Sequence, residues 1–411
     1  MKQPYVFISP EYTNSRPLID LMTGYEPIFL CINAPYDDPN TIAFPRARTL
    51  EDFRRLIDNS QQIKNLIENL SSKEKVYLKS FENRKELTSI QRGKLEVIGL
   101  DPVTHKFFSD KCNQYELLKN VVPIVNHTVT DKENAKDLFE KHQTENGTFT
   151  SLPFGFGGNG AKVHSDKEQF LKYIRSVPDE KFIVADAKQI RSNYSIEALI
   201  ANEHEIAIFG LSESILDGTC STAAWSSPEI SPSLKRQITE AAYHASKKIA
   251  EQGYFGYADL DFFVDKQDNL YFAELNPRYA ASTAEKMCAL ELSRPPGHPT
   301  IPDLELMIHQ QRTMGMYSVW SEPENIRWYK EEFWMTDGVV INDYSRPDIS
   351  EQELFRQKGT NIYGAAKVGT RIGSEEKKIG KLVSVYDNNI TKNQAYQHAQ
   401  RIKSELFQKS E

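Results

Sequence analysis

Short apolar runs set about one helix and one turn apart open the chain. Residues 5–8 and 28–32 are apolar and are bounded by proline and asparagine. Runs of this length and spacing predict the first strands of an α/β layer. Within residues 49–70 the apolar positions recur mostly at three- and four-residue spacings, which predicts one or two amphipathic helices. Residues 95–100 are predicted to form another strand, so we expect an N-terminal Rossmann-like domain.

Helix-start signals recur further along the chain. From Ser233 onward the apolar residues follow one helical face, and residues 391–407 are predicted to form a closing amphipathic helix. Ser/Thr-x-x-Glu spacings are typical of capping boxes, in which each side chain bonds to the other residue's backbone. Two such boxes predict helix starts, Thr130 with Glu133 and Ser165 with Glu168.

The segment GYADLDFFVDKQDNLYFAELNPR predicts a β-hairpin. Residues 257–265 and 270–276 are strand-like runs, and the Lys-Gln-Asp-Asn between them is typical of a turn. A four-residue loop pairs Asp265 with Leu270, and counting back from this pair sets the register. Because side chains alternate between the faces of a strand, one face should be apolar. Its predicted members are Leu260, Phe262, Val264, Tyr271, Ala273 and Leu275.

The acidic residues of this hairpin are predicted to share the other face. The register places Asp261 opposite Glu274 and Asp259 opposite Asn276, and opposed residues of an antiparallel pair share a face. Like charges across a strand pair destabilise it, so this arrangement favours a hard cation between them. Oxygen ligands indicate magnesium rather than zinc. The alternative is an acidic edge hairpin that faces solvent, or a surface pair in which Glu274 meets Arg278.

Composition narrows the class of partner. The chain has 411 residues, 39% hydrophobic and 26% charged, which is enough for two or three domains. Its net charge of -7 gives no basic footprint for nucleic acid, so a small-molecule substrate is favoured. The N-terminal apolar stretch is too short for a signal peptide, and no run approaches the ~20 apolar residues of a membrane helix. We therefore expect a cytoplasmic protein without a membrane partner. The four cysteines form no CxxC pair, which disfavours a disulfide framework and a zinc site.

At FAELNPRYAAST the sequence resembles the ATP-grasp superfamily, whose signature places an acidic residue on one strand and Glu-x-Asn on the next. Asp261, Glu274 and Asn276 match the positions that hold magnesium on the ATP phosphates in that family. Arg278 matches a position that contacts phosphate or substrate, so the resemblance implies a catalytic role for it. The likeness covers roughly residues 109–282.

Three other segments with family likeness fall in the expected order. SDKCNQYELLKNVVPIVNHT resembles the helix in which Lys111 would reach the nucleotide phosphates. FIVADAKQIRSNYSIEALIANEHEIAIFG resembles the strand pair that lines the adenine, with Lys188 near the base and Glu197 near the ribose or phosphates. TSLPFGFGGNGAKV resembles the flexible loop that covers the phosphates with backbone amides. The positions implied in this loop are Gly157, Gly158, Asn159 and Gly160.

Two positions depart from the family pattern. The family usually carries a second lysine on the strand that leads into the glycine loop, where this chain has Ser151 or Leu152. Phosphate charge must then be offset by Lys162, Arg278 or another base. Ala187 stands where many relatives have an acidic residue, which matters less because backbone groups read most of the adenine there.

The resemblance implies an α/β ATP-grasp fold in three parts. These are an N-terminal Rossmann-like pre-ATP-grasp domain at residues 1–108, a nucleotide-binding and catalytic core at 109–295, and the remainder of the core with a C-terminal accessory domain at 296–411. It further implies ATP and Mg²⁺ as cofactors, and a homodimer.

The implied activity is that of an ADP-forming ligase for a small-molecule carboxylate and an amine. The carboxylate would be activated as an acyl phosphate, and the layout resembles bacterial ligases of amino acids and peptides. Two alternatives stay open. The stretch IYGAAKVGTRIGSEEKKIGKLVSVYDN resembles the terminal domain of carboxylase-type relatives, which would make bicarbonate the carboxylate, unless the stretch is only a structural hairpin. The missing loop lysine instead favours a regulatory protein that binds ATP without hydrolysing it.

Overall fold

A computed structural model describes most of the chain. Three of the predicted glycine-loop positions, Gly157, Gly158 and Asn159, and part of the predicted helical segment 49–70 lie outside the described residues. The described residues are 3–11, 16–18, 20–22, 24–32, 41–43, 55–56, 59–80, 94–155, 160–177, 181–217, 220–226, 229–335, 337–343, 349–364, 368–372, 377–387 and 389–409.

The chain divides into two compact units. The first, called the terminal unit, comprises Met1–Pro102, Ala223–Ser227 and Ala280–Glu411. The second, called the central unit, comprises Val103–Thr222 and Pro228–Tyr279. The division into domains at residues 1–108, 109–295 and 296–411 stays a prediction.

The terminal unit begins with a parallel sheet in the order β3-β2-β1-β4-β5. The strands predicted at residues 5–8, 28–32 and 95–100 are confirmed. Val6, Leu30 and Leu78 of the sheet are fully buried and pack with Ile63 and Ile67 of the first helix. Both faces of a parallel sheet are normally covered, which explains the continuous apolar runs in the sequence. The elements are β1 (Gln3–Glu11), β2 (Tyr25–Ile32), β3 (Thr41–Ala43), α1 (Gln61–Lys73), β4 (Val76–Ser80) and β5 (Leu95–Ile98).

The elements that follow belong mainly to the central unit. In chain order they are α2 (Pro102–Ser109), α3 (Lys111–Leu118), β6 (His127–Asp131), a 3-10 turn (Asn134–Asp137), α4 (Leu138–Lys141), β7 (Thr148–Ser151), β8 (Ala161–His164), α5 (Lys167–Ser176), β9 (Lys181–Asp186), β10 (Ile190–Asn202), β11 (Glu205–Asp217), β12 (Cys220–Trp225), α6 (Pro232–Ala250), β13 (Gly256–Asp265) and β14 (Leu270–Asn276).

Two antiparallel arrays of strands organise the central unit. One has the order β6-β9-β7-β8, and the other contains β14-β13-β10-β11. The predicted helix after Ser233 is confirmed as α6, whose N-cap Ser231 accepts a hydrogen bond from the Leu234 backbone N–H. Its apolar face packs against β10 and β11, and Gly253 follows it with a φ of +88°. Glycine adopts this left-handed conformation without strain, so it suits the end of a helix.

The predicted capping boxes are wrong in detail. Thr130 lies inside strand β6, and the Asp131 carboxylate instead accepts the backbone N–H of Asn134 at the start of a 3-10 turn. Helix α5 does form, but its cap is Asp166 rather than Ser165. An ionised carboxylate is a stronger acceptor than a hydroxyl, which favours the neighbouring aspartate in both cases.

The rest of the terminal unit combines helices with further antiparallel strands. Strand β19 pairs with β15 and β17, and the Ala223–Trp225 part of β12 pairs with β15. The predicted closing helix is confirmed as α10, which Thr391 and Gln394 open with a capping box. The elements are α7 (Thr283–Glu291), α8 (Ile301–Gln311), β15 (Ile326–Met335), β16 (Gly338–Val340), α9 (Glu351–Gln357), β17 (Gly359–Tyr363), β18 (Arg371–Ile372), β19 (Lys377–Asp387), α10 (Lys392–Leu406) and β20 (Phe407–Lys409).

Membrane insertion through helices finds no support in the described part of the chain. None of the helices described there has the length and apolar character that a bilayer span requires.

Candidate functional site

The hairpin β13–β14 has the predicted register where it matters most. Asp259 lies opposite Asn276, and Asp261 lies opposite Glu274. At the loop end the prediction is wrong by one residue, because Val264 rather than Asp265 pairs with Leu270. The reason is a bulge, in which the pairing passes from Asp261–Glu274 directly to Phe262–Phe272. Ala273 is the extra residue. Because of it, Asp261–Glu274 and Asp259–Asn276, on the side of the bulge away from the loop, pair as predicted.

Asp265 accounts for the shifted loop. Its Oδ1 accepts the backbone N–H groups of Gln267 and Asn269 at 2.9 Å each, so the side chain closes the turn. Asp268 adopts a φ of +66° within the same turn. Aspartate tolerates this left-handed conformation better than most residues. The bulge then absorbs the one-residue difference between the loop and the rest of the hairpin.

The bulge also changes which aromatic residues reach each face. Phe272 pairs with Phe262 and is fully buried, whereas Tyr271 pairs with Phe263, with their ring centroids 5.3 Å apart. Phe263 is two residues beyond Asp261 and shares its face. The predicted apolar face is therefore wrong for Tyr271 and Ala273, and right for the other four members.

A third strand extends this face. Strand β10 pairs with β13 so that Asn193, Ser195 and Glu197 lie opposite Phe263, Asp261 and Asp259 in that order. Opposed residues share a face, so the three strands present one continuous surface, which we call the polar face. Its members are Asn193, Ser195, Glu197, Asp259, Asp261, Phe263, Tyr271, Glu274 and Asn276. It brings the predicted metal set together with the predicted nucleotide residue Glu197.

Asn276 is the centre of hydrogen bonding on the polar face. Its Nδ2 lies 3.0 Å from Asp261 Oδ2, 3.3 Å from Glu274 Oε1 and 3.3 Å from Asp259 Oδ2. Asp259 is 1% exposed and also accepts the hydroxyl of Ser195. Three carboxylates therefore converge on one amide.

Helix α3 brings Lys111 to this group. Lys111 Nζ lies 2.5 Å from Glu274 Oε2, at the N-terminus of a helix that Asp110 caps. Gln114, one turn further on, fixes the helix to the hairpin edge: its amide donates to Leu275 O at 2.7 Å and accepts Leu275 N–H at 2.9 Å. Sequence reasoning missed Gln114, and its only local signal is a polar residue on a buried helical face.

The charges of the cluster stabilise the ionised form of Glu274. Burial alone would raise the pKa of this carboxyl group, but Lys111, Arg278 and the Asn276 amide outweigh it, so the pKa is lowered. Arg278 itself donates to the backbone carbonyl of Tyr279 at 3.4 Å. Glu274 is therefore an anion at neutral pH, as a ligand for a cation must be.

The stem of the glycine loop lies beside the same helix. Lys111 N–H donates to Pro153 O at 2.9 Å, and Gly160 O accepts from Leu152 N–H at 3.0 Å. Gly160 has a φ of +87°, and a Cβ there would lie 3.1 Å from the Leu152 side chain. Both the conformation and the close approach require glycine at this position.

Lys162 lies on the opposite face from Ser151, one of the two candidate positions for the missing family lysine. It lies opposite Thr150, whereas Ser151 lies opposite Ala161, so Lys162 and Ser151 are on different faces of the β7–β8 pair. Its Nζ lies 5.6 Å from the centre of the Tyr173 ring. On this geometry Lys162 does not replace a lysine at Ser151.

Lys188 lies next to the aromatic pair of the polar face. Its Nζ is 5.7 Å from the centre of the Tyr271 ring, within cation–π range.

The acidic residue next to Ala187 in the chain is Asp186, which accepts hydrogen bonds from Asn126 and the buried His142. These bonds tie β9 to its neighbours in the central unit.

The donor set suits a hard cation. Asp261, Glu274 and Asn276 offer only oxygen ligands, and Mg²⁺ is usually bound by one or two carboxylates together with phosphates and water. Among residues that the structure describes, no group of three or more His, Cys, Asp or Glu side chains is arranged to hold a metal. The candidate set is thus two carboxylates and an amide, which fits magnesium rather than zinc.

Comparison with known proteins identifies the fold. No protein-family model matches the chain. The biotin carboxylase of Campylobacter jejuni, solved as a β-γ-ATP complex, is similar over 99% of this chain and 92% of its own, with 16% identity and a TM-score of 0.72. Carboxyaminoimidazole ribonucleotide synthase of Aspergillus clavatus, solved with ATP, is similar over 98% of both chains, with 10% identity and a TM-score of 0.64.

A third similar structure is the biotin carboxylase domain dimer of Hydrogenobacter thermophilus 2-oxoglutarate carboxylase, solved with MgADP, ADP and bicarbonate. It covers 93% of this chain and 86% of its own, with 14% identity and a TM-score of 0.65. At these identities the likeness establishes the fold. The chain therefore has the ATP-grasp fold that its sequence predicts.

Proposed function

We propose that this protein is an ATP- and magnesium-dependent ligase that activates a carboxylate as an acyl phosphate and joins it to an amine. The observation that carries the proposal is the convergence of Asp261, Glu274, Asn276 and Lys111 on the polar face of an ATP-grasp fold. The resemblance of these residues to the family signature supports a role for them at the phosphate end of the nucleotide.

The proposed reaction needs positioning and charge neutralisation rather than a side-chain nucleophile. A substrate carboxylate oxygen attacks the γ-phosphorus and ADP leaves. The amine nitrogen then attacks the acyl carbon, phosphate leaves, and the nitrogen loses a proton. Asp261, Glu274 and Asn276 would hold Mg²⁺, which would neutralise charge on the phosphate oxygens. Lys111 and Arg278 add two positive charges on the protein side.

The base and the sugar are proposed to lie further along the polar face. Phe263 and Tyr271 provide an aromatic surface beside the carboxylates, and Lys188 lies over the Tyr271 ring. An adenine ring can stack on such a surface. Glu197, opposite Asp259, would then lie near the ribose or the phosphates. Gly160 and the preceding loop residues Gly157, Gly158 and Asn159 would cover the phosphates with backbone amides.

One of the two substrates, the carboxylate or the amine, is proposed to be an amino acid or a small peptide, on the resemblance of the layout to amino-acid ligases. Bicarbonate is the second candidate, and the similar structures favour it. One of them contains bicarbonate beside MgADP, and the N5-carboxyaminoimidazole synthase of Aspergillus clavatus was solved with ADP and 5-aminoimidazole ribonucleotide. A homodimer is also proposed, as in the solved Hydrogenobacter domain. Light scattering on the purified protein would test it.

The test is ATP turnover with ADP and AMP separated, in the presence of magnesium and pooled amino acids, with and without bicarbonate. We expect ADP and phosphate to form only with the correct carboxylate. Glu274→Ala should reduce the rate by at least about 10²-fold, because it removes an implied metal ligand. Glu240→Ala, on the exposed side of α6, is the matched control and should leave the rate unchanged.

The outcomes separate the competing functions. Stimulation by an amino acid supports the peptide ligase, and stimulation by bicarbonate supports the carboxylase. AMP as the product would overturn the acyl-phosphate mechanism. Tight ATP binding without turnover under every mixture would favour a regulatory nucleotide-binding protein.

A further inference from the structure

A threonine, a histidine and an aspartate of the central unit form a chain of hydrogen bonds that includes no residue of the polar face. Thr128 Oγ1 lies 2.8 Å from His142 Nε2, and His142 Nδ1 lies 2.9 Å from Asp186 Oδ1. In acyl-transfer sites, a hydroxyl nucleophile, its general base and a third group that orients the base have this spacing. The proposed ligase reaction uses none of the three residues.

The neighbouring groups set the direction of each hydrogen bond. The Asn126 amide donates to Asp186 Oδ1 at 3.1 Å, so this oxygen is an acceptor and His142 Nδ1 carries the hydrogen that binds it. In a neutral imidazole Nε2 is then the acceptor, and Thr128 donates its hydroxyl proton to it. Lys141 Nζ, which can only donate, binds the same hydroxyl oxygen at 3.1 Å. Thr128 is therefore oriented to lose its proton to His142.

We propose that Thr128 is the nucleophile of a second catalytic site, with His142 as its general base and Asp186 as the positioning residue that holds the imidazole. The substrates are activated acyl compounds, namely esters and thioesters of small acids. His142 can return one proton to the leaving group, which is sufficient for an alcohol or a thiol. The activity requires neither ATP nor magnesium, so it goes beyond the proposed ligase reaction.

The reaction passes through an acyl-threonine. Thr128 Oγ1 attacks the carbonyl carbon, its proton moves to His142 Nε2, and the alcohol or thiol leaves with that proton. Water then attacks the acyl carbon, His142 takes one proton from the water and returns it to Thr128 Oγ1, and the carboxylic acid leaves. The Lys141 ammonium stabilises the negative charge of the tetrahedral intermediates.

The hydroxyl of this site is accessible, whereas the base is enclosed. His142 is fully buried, the side chain of Asp186 is 20% exposed, and Thr128 is partly exposed. Strand β6, which carries Thr128, lies at the edge of its sheet, and Lys141 is exposed. A small ester can therefore reach Thr128 from solvent while the imidazole stays fixed.

A second threonine–histidine pair in the central unit provides an internal comparison. Thr150 Oγ1 lies 2.9 Å from His164 Nε2, but both residues are fully buried. Within the part of the chain that the structure describes, His164 Nδ1 has no hydrogen-bond partner. Burial and the charge of Lys162 lower the pKa of His164 to about 4, which makes it a weak base. Exposure of the hydroxyl and a carboxylate on the imidazole thus distinguish the Thr128 site from the Thr150 pair.

Two measurements test the proposal, both on the full-length protein with EDTA and without ATP. One is the release of p-nitrophenol from p-nitrophenyl acetate, and the other is labelling with an alkyl fluorophosphonate, with the labelled residue identified by mass spectrometry. The wild type should hydrolyse the ester and carry the label on Thr128. Thr128→Val should lower the rate at least about 10²-fold, whereas Thr128→Ser keeps the hydroxyl and should stay active. Thr150→Val is the matched control and should react as the wild type does.

Asp186→Asn tests the positioning role. The asparagine amide can donate to His142 Nδ1, which favours the wrong tautomer and should slow both reactions at least about 10²-fold. Nitrogen-15 NMR of the His142 ring should show the hydrogen on Nδ1 in the wild type and on Nε2 in the variant. Unchanged reaction rates in Asp186→Asn would overturn the role of this carboxylate.

Three results would overturn the proposal as a whole. These are no hydrolysis by the wild type above the rate in buffer, equal rates in Thr128→Val and the wild type, and a label on Lys141 or another residue with none on Thr128. Mapping the label on the wild type decides the matter even if a variant does not fold. A protein that fails these tests but turns over ATP with magnesium would retain the proposed ligase function.

Discussion

Two regions of the molecule combine acidic side chains with a lysine, and they differ in how far these side chains are exposed to solvent. In the terminal unit, Lys381 Nζ lies 2.9 Å from Glu285 Oε1 and 2.7 Å from Glu351 Oε2, and all three side chains are at most 1% exposed. We call this group the sealed cluster. In the central unit, the side chains of Lys111 and Glu274 are 16% and 29% exposed. Solvent can reach the second group, and a ligand could reach it too.

The two regions also keep their carboxyl groups in different states. Burial raises the pKa of Glu351 to about 8, with Glu285 adding to the effect against the opposing Lys381. For Glu274 the attraction to Lys111 and Arg278 outweighs burial and lowers the pKa. A protonated Glu351 can donate a hydrogen bond and link helices, whereas an anionic Glu274 can bind a cation. The same residue types are therefore structural in the sealed cluster, where they are buried, and available for chemistry at Lys111 and Glu274, where they are partly exposed.

The sealed cluster links three elements of the terminal unit. Glu285 lies on α7, Glu351 begins α9, and Lys381 lies in the middle of β19. Burial opposes the ionised form of Glu285, but Lys381 and Lys330 outweigh it and lower its pKa. Lys381 therefore holds one anionic and one protonated carboxyl group. Removing it would leave a buried negative charge without its main partner.

Lys381→Met should have the largest effect on stability. Breaking a buried ion pair by removing one partner typically costs about 3–5 kcal/mol, because the remaining charge stays desolvated. Chemical denaturation at pH 7 measures the change. Lys378→Met is the matched control on the same strand, where Lys378 and its partner Glu332 are 17% and 14% exposed. Its cost should be clearly smaller. Equal losses of stability in Lys381→Met and Lys378→Met would show that burial is not what distinguishes the sealed cluster from a more exposed ion pair.

Lys111→Met should act on binding rather than on folding. Hydrogen bonds to charged groups contribute about 1.5–3 kcal/mol, so binding of the magnesium complex of an ATP analogue should weaken roughly 10–100-fold. Without Lys111, burial of Glu274 is less opposed and its pKa rises. The affinity of the variant should therefore fall more steeply than that of the wild type when the pH is lowered towards 4.5, the usual pKa of a glutamate.

Calorimetric titration at pH 5, 6 and 7 measures both effects of Lys111→Met. Lys119→Met, at the exposed end of the same helix, should leave binding unchanged at every pH. A Lys111→Met variant that binds as tightly as the wild type would contradict a role for Lys111 at the phosphates.

Glu351→Gln should remove a pH dependence of stability. Below pH 4.5 the carboxyl group is protonated in both the folded and the unfolded chain. Between about pH 5 and 8 only the folded form keeps the proton, so wild-type stability falls as the pH rises towards 8. We expect a loss of roughly 3–4 kcal/mol across this window. Glutamine resembles the protonated acid, so the variant should show a flatter profile.

Denaturation at several pH values measures the slope for Glu351→Gln. Glu353→Gln, an exposed position on the same helix, should keep the wild-type profile. A steep profile that persists in Glu351→Gln would mean that another group takes up the proton.

How much of the fold and of the candidate site the sequence could predict depends on how close together in the chain the interacting residues lie. The pairing of Asp261 with Glu274 was predicted by counting back from a four-residue loop, and it holds because the bulge at Ala273 offsets the one-residue error at the loop. The offset at the loop could not be predicted, because the side-chain bonds of Asp265 leave no trace in the hydrophobic pattern. The sealed cluster joins residues 96 and 30 positions apart in the chain, so it has no local pattern at all. Gln114, 161 positions from Leu275, escaped prediction for the same reason.

Tyr271→Leu should have the smallest effect, and it tests whether the bulge at Ala273 serves the open region. The bulge places Tyr271 beside Phe263, under Lys188, instead of in the core. Stacking of a base on an aromatic ring contributes about 1–3 kcal/mol, and leucine keeps part of the apolar contact. We therefore expect affinity for an ATP analogue to fall by roughly 5-fold, with little change in the free energy of unfolding, because Tyr271 is only half-buried.

Fluorescence titration with a labelled ATP analogue measures the Tyr271→Leu effect. Phe272→Leu, the adjacent and fully buried ring, is the matched control. It should lower stability by at least about 1 kcal/mol, since trimming a buried ring leaves a cavity, while nucleotide affinity stays close to that of the wild type. If Tyr271→Leu instead lowers stability and Phe272→Leu lowers nucleotide affinity, the bulge does not direct Tyr271 to the nucleotide. The open, ligand-binding region of the hairpin would then be limited to its carboxylates and would not include Tyr271.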